Sequence, residues 1–129
     1  MSQKSPTPEQ YRLAVKKEVL GYKNKVVVDS VACRLGLSPK DAEILFEDVL
    51  KFLSLVENGV RLWLSPKIKQ GLEIFVLYTA EYSYFCTKYF DRFIEYDPER
   101  GLVGGNRMDE VQTLQLVWVV YPNLSKNWK

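Results

Sequence analysis

With 129 residues, 47% of them apolar and 13% aromatic, the chain is long enough to bury a core without disulfides or metal and too hydrophobic to stay disordered. It has no histidine and only two cysteines, far apart, so it lacks the side chains that most often hold transition metals or move protons near neutral pH. The net charge of +2 is too small to point to a polyanion, and the expectation is a protein that works through its surfaces, with no catalytic residue, metal or cofactor.

Residues 1–6 read as a loose polar tail ahead of a single helical domain over 7–129. Thr7-Pro8-Glu9-Gln10 offers an N-cap, a proline at the first helical position and a capping-box partner, so a first helix is expected to run to about Leu20 and stop at Gly21. Lys25 to Leu35 places Val28, Val31, Ala32 and Leu35 at helical spacing before Gly36, although Val26-Val27-Val28 could also open a strand. Ser38-Pro39 caps a third helix, whose apolar face runs through Ala42, Leu45, Phe46, Val49, Leu50 and Leu53 to about Val56. Val60 to Leu64 alternates enough for a short extended segment leading to the cap Ser65-Pro66.

From Ser65 to Pro98 the apolar and aromatic spacing predicts one long central helix. Asp97 to Arg107, with a proline and three glycines, is a loop without a phosphate-binding fingerprint. A last helix from about Met108 to Val120 presents Val111, Leu114, Val117, Trp118 and Tyr121 before Pro122 stops it. The fold class expected is all-α, a compact bundle of about five helices. No apolar run reaches the roughly 20 residues needed to cross a bilayer, and MSQKSPTPEQ has no signal core, so cytoplasmic residence without membrane contact is expected. Cys33 and Cys86 lack CxxC spacing and sit in predicted helices, where reduced and mostly buried thiols are expected.

Asp29 to Pro39 looks like the front of a helix-turn-helix, which would make the third helix a DNA reader. Its outward positions would be Lys40, Asp41, Glu43, Glu47, Asp48 and Lys51, four acids against two bases, which repels phosphate and disfavours nucleic acid as the partner. Arg12, Lys16, Lys17 and Lys23 form a candidate basic face on the first helix and just beyond it. Among the aromatics of the long helix, Tyr78, Phe85 and Tyr89 extend the stripe beyond one face and form a candidate partner surface.

The long helix and its neighbours resemble the bacterial glycine-rich-domain-containing-protein-like family. The residues at matching places are Ser65-Pro66, Ile68, Phe75, Val76, Leu77, Thr79, Tyr82, Phe85-Cys86, Phe93-Ile94 and Asp97-Pro98. Glu47 to Leu55 is similar to the family's Glu-rich helix, and Thr113-Leu114 through Trp128 to its final helix and terminal Trp, so the resemblance spans about residues 25–128. It implies a helical fold. It also marks departures: Lys69 stands where the family has Asp, Leu72-Glu73 where it has Trp-His, and Glu95-Tyr96 where it has His-His. Every histidine of that pattern is replaced, so no site transfers. Lys69, Glu73, Glu95 and Tyr96 become a candidate polar cluster in which a Lys69–Glu73 or Lys69–Glu95 pair stands in for the lost groups.

Taken together, these features predict a non-enzymatic helical binding module whose partner is another protein, for example as an inhibitor or adaptor. The alternatives are a helix-turn-helix-like DNA-binding regulator and an altered or vestigial enzyme using Glu73, Glu95 and Tyr96.

Overall fold

The computed structural model describes residues 7–96 and 108–129, which hold six α-helices, two 3-10 turns and no strand. The tail 1–6, the loop 97–107 and the Asp97-Pro98 part of the family resemblance lie outside the described residues. The helices are α1 (Pro8–Ala14), α2 (Lys25–Leu35), α3 (Pro39–Val56), α4 (Pro66–Leu77), α5 (Thr79–Phe90) and α6 (Glu110–Val120).

The central helix is α3, not the 65–98 segment. It touches α2, α4 and both 3-10 turns and buries residues around most of its circumference, including Leu45, Val49, Leu50, Phe52, Leu53 and Leu55. Ser38 caps it through a hydrogen bond from the Asp41 N–H, 3.1 Å. Gly36 supplies the turn from α2 at φ 65°, a left-handed conformation that suits glycine, and the Leu37 N–H donates to the Ala32 carbonyl at 2.9 Å. Where α3 and α4 cross, Gly71 removes a side chain: a Cβ there would stand 2.9 Å from Val49 Cγ2 and 3.2 Å from Leu45 Cγ.

The first predicted helix is shorter than expected. Thr7 and Gln10 do form the capping box, with bonds of 2.7 and 3.2 Å, but α1 ends at Ala14 because Val15 turns extended at ψ 144°. A 3-10 turn over Lys17–Gly21 follows. The break lets one short chain segment serve two neighbours, since α1 lies on α6 while the 3-10 turn lies on α3 and buries Val19 completely.

The long helix also divides. Tyr78 leaves the helical region at ψ 69°, and the Thr79 hydroxyl donates back to the Val76 carbonyl at 3.4 Å. Ring geometry requires the fold-back. In a continuous helix Phe75 and Tyr82 would be about 10.5 Å apart along the axis, yet their centroids lie 5.1 Å apart, edge to face. Phe85, ten positions beyond Phe75, lies 5.6 Å from it. Phe46 and Tyr22 complete the cluster at 5.2 and 6.2 Å from Phe75.

Val60 to Leu64 forms neither helix nor strand; Val60 and Leu62 are buried, and the Arg61 carbonyl accepts from the Met108 N–H at 2.9 Å. The Trp63 N–H donates to the Thr113 hydroxyl at 2.8 Å. That bond rolls α6. Its inward residues are Thr113, Leu116, Val117 and Val120, while Val111 and Trp118, expected on the core side, face outward.

The Asp48 carboxylate is buried and accepts three hydrogen bonds from the C-terminal turn: Ser125 Oγ at 2.6 Å and Asn127 Nδ2 at 3.0 Å to Oδ2, and Trp128 Nε1 at 3.0 Å to Oδ1. This overturns the outward placement of Asp48 on a recognition helix. Ser65 joins the group by donating to the Asn127 carbonyl at 2.6 Å while capping α4 at the Ile68 N–H, 3.2 Å.

Asp48→Ala is expected to cost about 3 to 5 kcal/mol in urea denaturation, because it leaves two buried donors and one half-buried donor without their acceptor. Gly71→Val is expected to cost about 2 to 3 kcal/mol by overpacking the α3–α4 crossing; a melt unchanged from wild type would show that the two helices separate freely.

Candidate interaction surface

The outward roll of α6 leaves two large apolar side chains exposed on one helix. Asp109 starts the helix with a capping box, its carboxylate accepting from the Gln112 N–H at 2.8 Å and its own N–H donating to Gln112 Oε1 at 3.0 Å. From there the helix is apolar on nearly every side: one side enters the core, and Val111 and Trp118, seven residues apart and so on one stripe, remain 62% and 63% exposed. Gln115 is exposed between them. The neighbouring α1 has no fully buried residue and leaves Leu13 73% exposed. Exposed Trp, Val and Leu side chains thus stand on two helices that are in contact with each other.

The candidate partner surface on α5 changes composition. Phe85 is fully buried in the ring cluster, 5.0 Å from Tyr22 and 5.4 Å from Phe90, and is withdrawn from it. Tyr78 and Tyr89 are half-buried, and Tyr89 packs edge-on against Tyr22. The exposed ring there is Tyr84, with Lys88 Nζ 5.7 Å from its centroid.

The candidate polar cluster does not assemble as ion pairs. Lys69 is exposed and Glu73 half-buried on α4, Glu95 is exposed and Tyr96 half-buried beyond α5. Among the described residues the ion pairs are Arg12–Glu9, Lys16–Glu57, Lys25–Asp29 and Lys51–Glu47, so Lys69 pairs with neither Glu73 nor Glu95. Among the same residues no three His, Cys, Asp or Glu side chains come together in an arrangement for a metal ion.

The basic face is dispersed by the break after α1. Arg12 is bound to Glu9, which raises its pKa and lowers that of Glu9. Lys16 Nζ lies 3.6 Å from Glu57. Lys17 Nζ stands 5.9 Å from the Tyr121 ring centroid, and Lys51 approaches the same ring at 5.6 Å. Lys23 is exposed ahead of α2. The Tyr121 hydroxyl shares a 2.7 Å hydrogen bond with Ser54; burial pushes its pKa up and that bond opposes the shift.

Cys33 departs from expectation because α2 turns Val27 and Val31 to the core and leaves the thiol outside, whereas Cys86 is fully buried. Burial raises the Cys86 pKa, against lowering contacts from Ile94 and Tyr82. No helix among the described residues is long and apolar enough to cross a membrane. Comparison with protein-family models, curated proteins and solved structures found no match to the chain, so the family resemblance rests on motif spacing alone.

Thiol labelling in native buffer is expected to modify Cys33 within minutes and Cys86 only after unfolding, giving one fast equivalent of two. Two fast equivalents would mean that the α5 core opens readily.

Proposed function

We propose that the chain is a non-enzymatic helical binding module that acts by associating with another protein. The observation that carries this reading is the outward side of α6, where Val111 and Trp118 stay open to solvent on a helix that packs against α1, itself carrying the exposed Leu13. Trp is the residue most enriched at binding hot spots, and an exposed Trp flanked by aliphatic groups offers an anchor that a partner can desolvate. The DNA-reading alternative loses Asp48 from its groove-facing set but keeps Asp41, Glu43 and Glu47 exposed on α3, which still repels phosphate.

Photocrosslinking tests the reading. A benzophenone amino acid at position 118, introduced in cells of the native host, is expected to give a discrete protein adduct that the same group at Lys40 does not. Adding Val111→Asp should remove the adduct while shifting stability by no more than about 0.5 kcal/mol, as at any exposed site. No adduct at 118, or the same products from both positions, overturns the reading.

A further inference from the structure

The hinge between α4 and α5 is a single residue. α4 ends at Leu77 and α5 begins at Thr79, so Tyr78, at φ −87° and ψ 69°, alone turns the chain back on itself. No glycine or proline stands anywhere from Leu72 to Phe90, and the apolar helical period runs on through the turn. α5 also starts without support. Thr7, Asn24, Ser38, Ser65 and Asp109 cap the other five α-helices of the described residues with their side chains, whereas no side chain caps α5. The first N–H groups of a helix have no acceptor inside it, and here they belong to Thr79, Ala80 and Glu81, next to an exposed Leu77. Straightening the turn gives them the carbonyls of Phe75, Val76 and Leu77, in one helix over 66–90.

One chain cannot straighten alone. Phe75 would lose Tyr82 and Phe85, now 5.1 and 5.6 Å away between ring centroids, and Asn24 would lose its 2.9 Å bond to Glu81. A second copy restores them. We infer that two chains exchange halves at Tyr78: each runs straight through 66–90 and gives α5, α6 and the C-terminal turn to the α1–α4 half of the other, about a two-fold axis. The ring cluster, the Asn24–Glu81 bond, the Trp63–Thr113 bond and the three bonds to Asp48 then form between chains as they do within one. Only the hinge differs, and there the exchanged form gains helical hydrogen bonds, which is how a short hinge favours exchange. Parting the halves breaks the Asp48 contacts and the ring cluster together, so exchange passes through unfolding and the two forms interconvert slowly. It does not depend on the reading of the α6 face.

Refolding the full chain from urea at about 5 µM and at about 500 µM, followed by size-exclusion chromatography with light scattering, tests the exchange. The dilute arm should give one-chain protein, and the concentrated arm a two-chain species that survives return to the lower concentration. Hydrogen exchange reads the hinge: the Thr79, Ala80 and Glu81 amides should exchange at least about tenfold more slowly in the two-chain species. Thr79→Pro suits the first position of α5 but blocks a continuous helix, so it should remain at one chain. Thr79→Leu gives up the hydroxyl bond to the Val76 carbonyl and favours helix, so it should raise the two-chain fraction by at least about twofold. Circular dichroism confirms the fold of each variant. A concentrated arm that yields one chain alone, a two-chain species whose hinge amides exchange as in the one-chain form, or a folded Thr79→Pro that pairs like wild type overturns the inference. So does a Thr79→Leu that pairs no more than wild type, and that outcome decides even if Thr79→Pro does not fold.

Discussion

The buried carboxylate of Asp48 is the constraint around which the other elements are arranged. A charge in the interior is tolerated only where hydrogen bonds replace the water it has lost, and here the replacements come from three residues of a single C-terminal turn. Satisfying it pulls Trp128 into the core beside Phe52, at 6.5 Å between ring centroids, and presents the Asn127 carbonyl to Ser65. Because Ser65 also caps α4, the position of that helix is linked to the same carboxylate through one hydroxyl. Three helical elements are thereby set by one acid: α3 that carries it, the 3-10 turn that solvates it and α4 that is capped beside it.

Around this polar anchor the aromatic rings settle the rest. Phe75 at the end of α4 meets Phe46, Tyr82 and Phe85, and it can do so only because the chain reverses at Tyr78. The Tyr82 hydroxyl then donates to the Ile94 carbonyl at 2.7 Å, which ties the segment after α5 back onto that helix. Burial raises the pKa of that phenol far above its ordinary range, so it stays a donor at any physiological pH.

Local signals explain which elements could be read from sequence. Ser38-Pro39 and Ser65-Pro66 start helices where they are expected to, and Thr7 closes its capping box, since each cap involves residues within one turn. The helical class and the span of α3 follow from such caps and from apolar spacing. The break at Tyr78 could not be read, because no glycine or proline marks it and the apolar period runs on through both halves. Nor could the roll of α6: a helix apolar on nearly all sides offers several possible inward faces, and the face that is buried carries Thr113, which accepts from Trp63 fifty positions away. Asp48 looked like a solvated acid for the same reason, its donors being distant in sequence. The surface candidates suffered accordingly, with Phe85 moving inside and Trp118 moving out.

The spacing of the Asp48 contacts also bears on the order of folding. α2 and α3 are adjacent in sequence and close through the Gly36 turn, whereas Asp48 must wait for donors 77 to 80 residues away. Loop-closure entropy favours the near contacts first, so docking of the C-terminal turn is expected to fall on the native side of the folding barrier. Interactions formed after the barrier act on the rate of escape from the native state rather than on the rate of reaching it. On that order the buried acid and its three donors would act as a brake on unfolding, setting how long the native protein persists more than how quickly it forms.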